Sequence, residues 1–127
     1  MKAWNNATWN YNQSDASKRT EYWIKNTGTN PEDVCIKADF DLICSSPSCT
    51  GNSISITNAA WSNSTSNNPP FDTSKRLSLN FVKVAYNVQP NQVVYFRFWL
   101  NPEPDNIPSG IYNTTFQIKA VEAGTSC

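Results

Sequence analysis

Hydrophobic and polar residues alternate along several stretches of this sequence, the pattern of β-strands with two unlike faces. In residues 93–100 the positions predicted to face inward are Val94, Phe96, Phe98 and Leu100, and those predicted to face outward are Tyr95, Arg97 and Trp99. After a proline-rich corner the alternation resumes, with Tyr112, Phe116, Ile118 and Ala120 inward and Asn113, Thr115, Gln117 and Lys119 outward. The pattern predicts that these two strands are antiparallel and are joined by the corner.

Residues 33–43 give the most regular alternation in the chain. Val34, Ile36, Ala38, Phe40 and Leu42 are predicted inward, and Cys35, Lys37, Asp39 and Asp41 outward. Further strands are predicted over residues 1–13, 19–27, 53–61, 77–81 and 82–89. Sustained helical periodicity is absent. The pattern therefore predicts an all-β fold, an Ig-like antiparallel β-sandwich of about seven or eight strands, in a single domain over residues 1–127.

The balance of charge excludes some classes of partner. Lys plus Arg and Asp plus Glu number 10 each, so the sequence has no basic footprint for nucleic acid or an anionic membrane. Charged residues make up only 16% of the chain, and Asn, Ser and Thr must cover its surface, which favours an extracellular protein. No hydrophobic run reaches signal-peptide or membrane length, so we expect any signal or anchor to precede Met1.

The even number of cysteines predicts disulfide bonds. Four cysteines allow three pairings. We favour Cys44–Cys49, which flank a short turn-forming loop, together with Cys35–Cys127, which would pin the end of the chain; the other two pairings remain open. A zinc site is the rival interpretation. It is disfavoured because the sequence has no histidine and no Cys-x-x-Cys pair, and no metal is expected.

Glycosylation sequons add to the case for an oxidising, extracellular compartment. They begin at Asn6, Asn12, Asn63 and Asn113. In a chain so rich in Asn, Ser and Thr each sequon alone is weak evidence. Together with the cysteines they predict a secreted or surface-anchored glycoprotein.

Short turn motifs give the sequence a resemblance to known proteins. Lys25-Asn26-Thr27-Gly28-Thr29 follows an early strand, and Ile107-Pro108-Ser109-Gly110-Ile111-Tyr112-Asn113-Thr114 leads into the last one. This order of strands and turns, over roughly residues 20–121, resembles the Ig-like modules of archaeal surface and pilin-like proteins. The resemblance implies a β-sandwich at the cell surface. Archaeal pilins also have an N-terminal hydrophobic helix, which this sequence lacks before Trp4.

The corner before Tyr112 also has a structural explanation. Pro108 fixes φ, Gly110 permits a positive φ, and the Tyr112 hydroxyl is placed to bond the backbone near the corner. We interpret this corner as a device that stabilises the fold.

Catalytic constellations are nearly absent from the sequence. Without histidine, Ser–His and Cys–His nucleophile pairs are excluded, and four scattered glycines build no phosphate loop. The carboxylate pairs Asp39/Asp41 and Glu103/Asp105 are the candidates for hydrolysis, and Glu32 with Asp33 beside Asn30 for calcium. These acidic residues are better interpreted as solvated residues of strands and turns. We therefore expect no enzyme activity and no cofactor.

Exposed tryptophans are the better functional lead. Trp23 and Trp99 fall on faces that alternation assigns to the outside, where aromatic rings bind sugars or line protein interfaces, unless loops cover them. The hypothesis we favour is a structural subunit of a cell-surface filament (pilin-like) or surface layer, which forms homo-oligomers through its N-terminal segment. The alternatives are an extracellular carbohydrate- or protein-binding module and, less favoured, a small hydrolase.

Overall fold

The computed structural model of the protein describes residues 21–63, 73–100 and 107–127. These residues form nine β-strands rather than about seven or eight. The strands are β1 (Glu21–Lys25), β2 (Glu32–Ala38), β3 (Leu42–Cys44), β4 (Ser53–Ile54), β5 (Ala59–Ser62), β6 (Val82–Val88), β7 (Val93–Leu100), β8 (Tyr112–Asn113) and β9 (Phe116–Glu122). The strand predicted in residues 1–13 lies outside the described residues.

The strands form three antiparallel sheets of three strands each. Sheet 1 has the order β1-β7-β5, sheet 2 the order β6-β2-β9, and sheet 3 the order β4-β3-β8. The prediction of a predominantly β, antiparallel fold is thus confirmed. The Ig-like arrangement of these strands remains a prediction.

The hydrophobic core lies between sheets 1 and 2. From sheet 2, Val34, Ile36 and Ala38 are at most 3% exposed, and from sheet 1 Phe96 is 2% exposed. The other buried members of this cluster are Ile56, Ala59, Leu77, Val84 and Val88. Removing this apolar surface from water is the main favourable term in folding, at about 25 cal/mol per Å². The inward positions predicted from alternation in β2 and at Phe96 therefore form the core.

The long strand predicted over residues 33–43 is two strands in different sheets. The chain leaves sheet 2 after Ala38, and β3 begins at Leu42 in sheet 3. Between them Asp39 accepts hydrogen bonds from the Thr115 hydroxyl and the Gln117 amide, and Asp41 accepts one from the backbone N–H of Ile56. These carboxylates stabilise a bend, and Phe40, predicted inward, is 40% exposed there.

Of three further predicted strands, two are interrupted and one does not form. Residues 53–61 contain a turn of 3₁₀ helix (Ile56–Asn58) between β4 and β5, and the last predicted strand divides into β8 and β9. Residues 77–81 form no strand, since Leu77 is buried in the core whereas Leu79 is 48% exposed. Alternation alone does not reveal where a chain changes sheets.

Asn26 ties together the two connections that link sheets 1 and 2. Its buried side-chain N–H groups donate to the carbonyls of Asn30 and Val88, both at 2.8 Å, and its side-chain oxygen accepts from the N–H of Gly28 at 2.8 Å. Its backbone also pairs with the β6–β7 connection, through the carbonyl of Gln92 and the N–H of Asn91. The turn motif that begins at Lys25 thus forms a corner that the hydrogen bonds of Asn26 hold together.

The C-terminal residues fold back over the outer face of sheet 2. Gly124 has φ +87°, a conformation that glycine adopts at little cost, and its N–H donates to Asp33 at 3.0 Å. The chain then reaches Cys127, which forms a disulfide with Cys35. Cys35 was predicted to face outward; it does lie opposite the core, but this segment leaves it 0% exposed.

The second disulfide, Cys44–Cys49, lies against the corner before β8. The Tyr112 hydroxyl donates to the Pro108 carbonyl at 2.8 Å, as the sequence suggested. The prediction of a positive φ at Gly110 is wrong, because the positive-φ glycines among the described residues are Gly51 and Gly124. Gly110 is instead needed for close approach: a Cβ there would lie 2.9 Å from the Cβ of Cys49. The pairing favoured from spacing is the one in the structure.

The two disulfides should differ in their effect on stability. They join residues 92 and 5 positions apart. The chain-entropy model assigns about 4.6 kcal/mol to the larger loop and about 2.1 kcal/mol to the smaller. We expect the Cys35→Ala/Cys127→Ala protein to lose about twice as much unfolding free energy as the Cys44→Ala/Cys49→Ala protein, measured by denaturant unfolding. Equal losses, or the reverse order, would contradict this account.

Candidate functional site

Two exposed aromatic residues lie side by side on the outer face of sheet 1. Trp23 of β1 is the cross-strand partner of Tyr95 of β7, and the two are 65% and 54% exposed. Directly opposite residues in an antiparallel pair have Cβ atoms about 5 Å apart. Trp23 therefore faces outward as predicted, and it shares a small aromatic patch with Tyr95.

The rest of this outer face is not uniformly exposed. Arg97, predicted outward between Tyr95 and Trp99, is only 5% exposed. The side chain of Trp99 lies outside the described residues. The sequence predicted an exposed pair of Trp23 and Trp99. The exposed aromatic pair that the structure describes on this face is Trp23 and Tyr95.

A second apolar surface lies where the sequence predicted core. Phe116 and Ile118 of β9 pair with Ala38 and Ile36 of β2, so they are directed to the same, inner side of sheet 2. The β2 residues are 0% exposed, whereas Phe116 is 37% and Ile118 is 48% exposed. Ala120 is also exposed. The inward direction was predicted correctly, but the burial was not, because sheet 1 does not cover this strand.

These residues belong to an apolar surface on the inner side of β9, next to sheet 1. Both β1 and β9 stand at the end of their sheets among the described strands. At one end a cavity of about 390 Å³ is lined by residues from both, including Ile24 and Ala120. At the other end Phe98 stacks on Phe116, with ring centroids 5.1 Å apart. We call this surface the β1–β9 groove and define it by six residues. Ile24, Val34 and Ala120 line the cavity, Phe98 contacts Phe116, and Ile118 lies between Phe116 and Ala120 on the same side of β9.

Asp33, which was considered with Glu32 for calcium, has structural partners. Asp33 is 2% exposed; its carboxylate accepts from Lys83 Nζ at 2.7 Å and from the N–H groups of Asn87 and Gly124 at 2.8 and 3.0 Å. The hydrogen bond from Lys83, followed by the two backbone N–H groups, lowers the pKa of Asp33 to about 2. Asp33 thus joins β2, β6 and the C-terminal turn.

The remaining carboxylate candidates do not converge. The hydrogen bond from Thr115, then that from Gln117, lowers the pKa of Asp39, whereas Asp41 bonds the backbone of Ile56. Glu103 and Asp105 lie outside the described residues. Within residues 21–63, 73–100 and 107–127, no three Cys, Asp or Glu side chains form a group that could hold a metal ion.

The described sequon asparagines are accessible. Asn63, after β5, and Asn113, in β8, are both exposed. Asn113 donates through its side-chain nitrogen, the atom that a glycan would modify, to the Ser45 hydroxyl at 2.6 Å. Asn6 and Asn12 lie outside the described residues, so their sequons remain predictions.

Comparison with known protein families, curated proteins and solved structures finds no match to this chain. In the part of the chain that the structure describes, no helix is long and apolar enough to span a membrane. The aromatic patch and the β1–β9 groove are therefore the candidate functional surfaces of the described residues.

Sequence reasoning missed the groove because it assigned every inward residue to the core. No described strand after β9 covers its free edge. A tyrosine outside both surfaces was also missed: Tyr86 of β6 is 68% exposed, with Lys83 Nζ 5.6 Å from its ring centroid.

The bonds at Asp33 predict a specific dependence of stability on pH. Because the pKa of Asp33 is lowered to about 2 in the folded protein, its ionised form stabilises the fold above the ordinary value of 3.8, and this contribution is lost as the pH falls towards 2. We expect ¹³C NMR titration of the Asp33 carboxyl group to give a midpoint near 2.

Lys83→Met removes the largest cause of the shift and should raise that midpoint. Asp33→Asn should make the unfolding free energy depend less steeply on pH below 4. A wild-type midpoint at the ordinary value, or an unchanged midpoint in Lys83→Met, would contradict the assignment.

Proposed function

We propose that this protein is a non-catalytic structural subunit of a cell-surface assembly, a pilin-like filament or a surface layer, and that it works outside the cell. The observation that carries the proposal is the β1–β9 groove, where a free sheet edge coincides with exposed inward-facing side chains. An unpaired edge strand is a template for pairing with another chain, and natural proteins usually protect such edges with charges or prolines. Here the charged Lys119 lies on the outer side of the edge strand, beside Cys127, whereas the inner side presents Phe116 and Ile118.

Other features support the location and the structural role. Two disulfides in a small β-rich chain are typical of proteins from oxidising compartments. The sequence has no histidine, which removes the commonest general base, and Asp33, Asp39 and Asp41 are engaged in structural hydrogen bonds. The archaeal, pilin-like resemblance supports the same proposal through the turn motifs around Asn26 and Tyr112.

Self-association of the whole chain is the direct test. We expect sedimentation velocity to detect species larger than the monomer, whose fraction rises with protein concentration, and electron microscopy to detect ordered assemblies at the highest concentrations. A protein that stays monomeric throughout the accessible range of concentration would contradict an assembly function.

The aromatic patch favours a second candidate function, the binding of carbohydrate. Neighbouring exposed rings such as Trp23 and Tyr95 provide flat apolar surface on which a sugar ring packs. This patch lies on the outer face of sheet 1, and the groove opens between the sheets, so the two functions require different surfaces.

Polysaccharide binding should then depend on the patch. In affinity electrophoresis through gels containing polysaccharides, we expect retardation of the wild type and its loss in Trp23→Ala and Tyr95→Ala. Tyr86→Ala is the matched control, since Tyr86 is 68% exposed but belongs to sheet 2. Wild-type mobility unaffected by every polysaccharide, or equal loss in the Tyr86 variant, would exclude binding at this patch.

A further inference from the structure

The free side of β9 is suited to receive one added strand. On its other side β9 pairs with β2 over its whole length, from Phe116↔Ala38 to Glu122↔Glu32. Seven residues of strand measure about 23 Å at 3.3 Å per residue. An added strand of similar length would satisfy the unpaired N–H and C=O groups of this edge and would place alternate side chains over Phe116, Ile118 and Ala120.

The N-terminal sequence of this chain has the pattern that the groove requires. Ala7, Trp9 and Tyr11 alternate with Thr8 and Asn10. As a strand, this segment would present three apolar side chains on one face, matching the three exposed positions of β9. The sequon residues Asn6 and Asn12 have the opposite parity, so glycans on them would point away from the groove.

The exposure of Ile118 and the net charge of the chain favour a second copy as the source of the added strand. Ile118 keeps 48% of its surface exposed, and no other described strand pairs with the free edge of β9, so a strand from a second copy could cover both. The formal net charge is zero, so no overall repulsion opposes the approach of another copy. Residues 12–20 (NQSDASKRT) are polar and could extend about 30 Å, enough to connect a strand in one copy to β1 of the next.

We infer that the β1–β9 groove receives the N-terminal segment around residues 7–11 of a second copy of this chain as an added β-strand. This inference rests on the proposed assembly function and names its interface. Donor segment and acceptor groove are different surfaces, so the contact is head-to-tail. Such contacts produce open filaments when the rotation between copies does not close, and rings when it does.

Two full-length variants separate donor from acceptor. Ile118→Asp places a charge in the groove but keeps the N-terminal segment, whereas Trp9→Asp/Tyr11→Asp removes the apolar face of the segment but keeps the groove. We expect each variant alone to lose the self-association of the wild type. Mixed together, they should form a 1:1 dimer in sedimentation velocity, because one supplies the strand and the other the groove.

Ile43→Asp is the matched control, because Ile43 is 50% exposed but belongs to sheet 3. It should associate like the wild type. The mixed dimer also shows that the groove of the Trp9→Asp/Tyr11→Asp variant is folded, and circular dichroism and intact disulfides check the folding of Ile118→Asp.

The outcomes that overturn the inference are distinct. Wild-type association that persists in Ile118→Asp, or in the donor variant, overturns strand insertion and leaves the assembly function standing on another interface. Two association-deficient variants that stay monomeric when mixed also overturn it, provided both are folded. A monomeric wild type overturns the assembly function and the inference together.

Discussion

Burial of β2 on both faces is the constraint on which the rest of this structure depends. Its inner side chains, Val34, Ile36 and Ala38, meet the core. On its outer face Cys35 is bonded to Cys127, and Asp33 bonds both Lys83 and Gly124. A strand that is buried on both faces must be packed against other residues on both. On the outer face of β2 these are the residues that follow β9, from Gly124 to Cys127. The disulfide and the hydrogen bonds of Asp33 fix this segment on sheet 2.

This arrangement leaves one edge of β9 without a partner strand among the described residues. The residues that follow β9 turn at Gly124 and cross the outer face of sheet 2. They provide no strand beside β9, which keeps one unpaired edge among the described strands. The inner side of that edge bears Phe116 and Ile118 because, by register, these residues share a face with Ala38 and Ile36. The described residues therefore combine a central strand that is buried on both faces with an exposed edge strand, an arrangement that agrees with the proposed assembly function.

Much of the fold was predictable from local pattern. The direction of side chains in β2 and β7 followed from alternation, and the disulfide pairing followed from spacing around residues 44–49. The bends were not predictable, because Asp39 and Asp41 fit the polar side of a strand equally well. What ends the strand is hydrogen bonding to Thr115 and Ile56, residues distant in sequence. The candidate site was only half predictable: Trp23 faces outward as alternation indicates, but the exposure of Ile118 depends on which strand stands at the sheet edge.

Hydrogen–deuterium exchange along β9, compared between dilute and associated protein, tests the central claim most directly. If a neighbouring copy adds a strand to this edge, amides of residues 116–122 that exchange rapidly in the dilute protein will become protected as association proceeds. Amides of β3 should not change. Association that leaves the exchange of β9 unchanged would contradict the account.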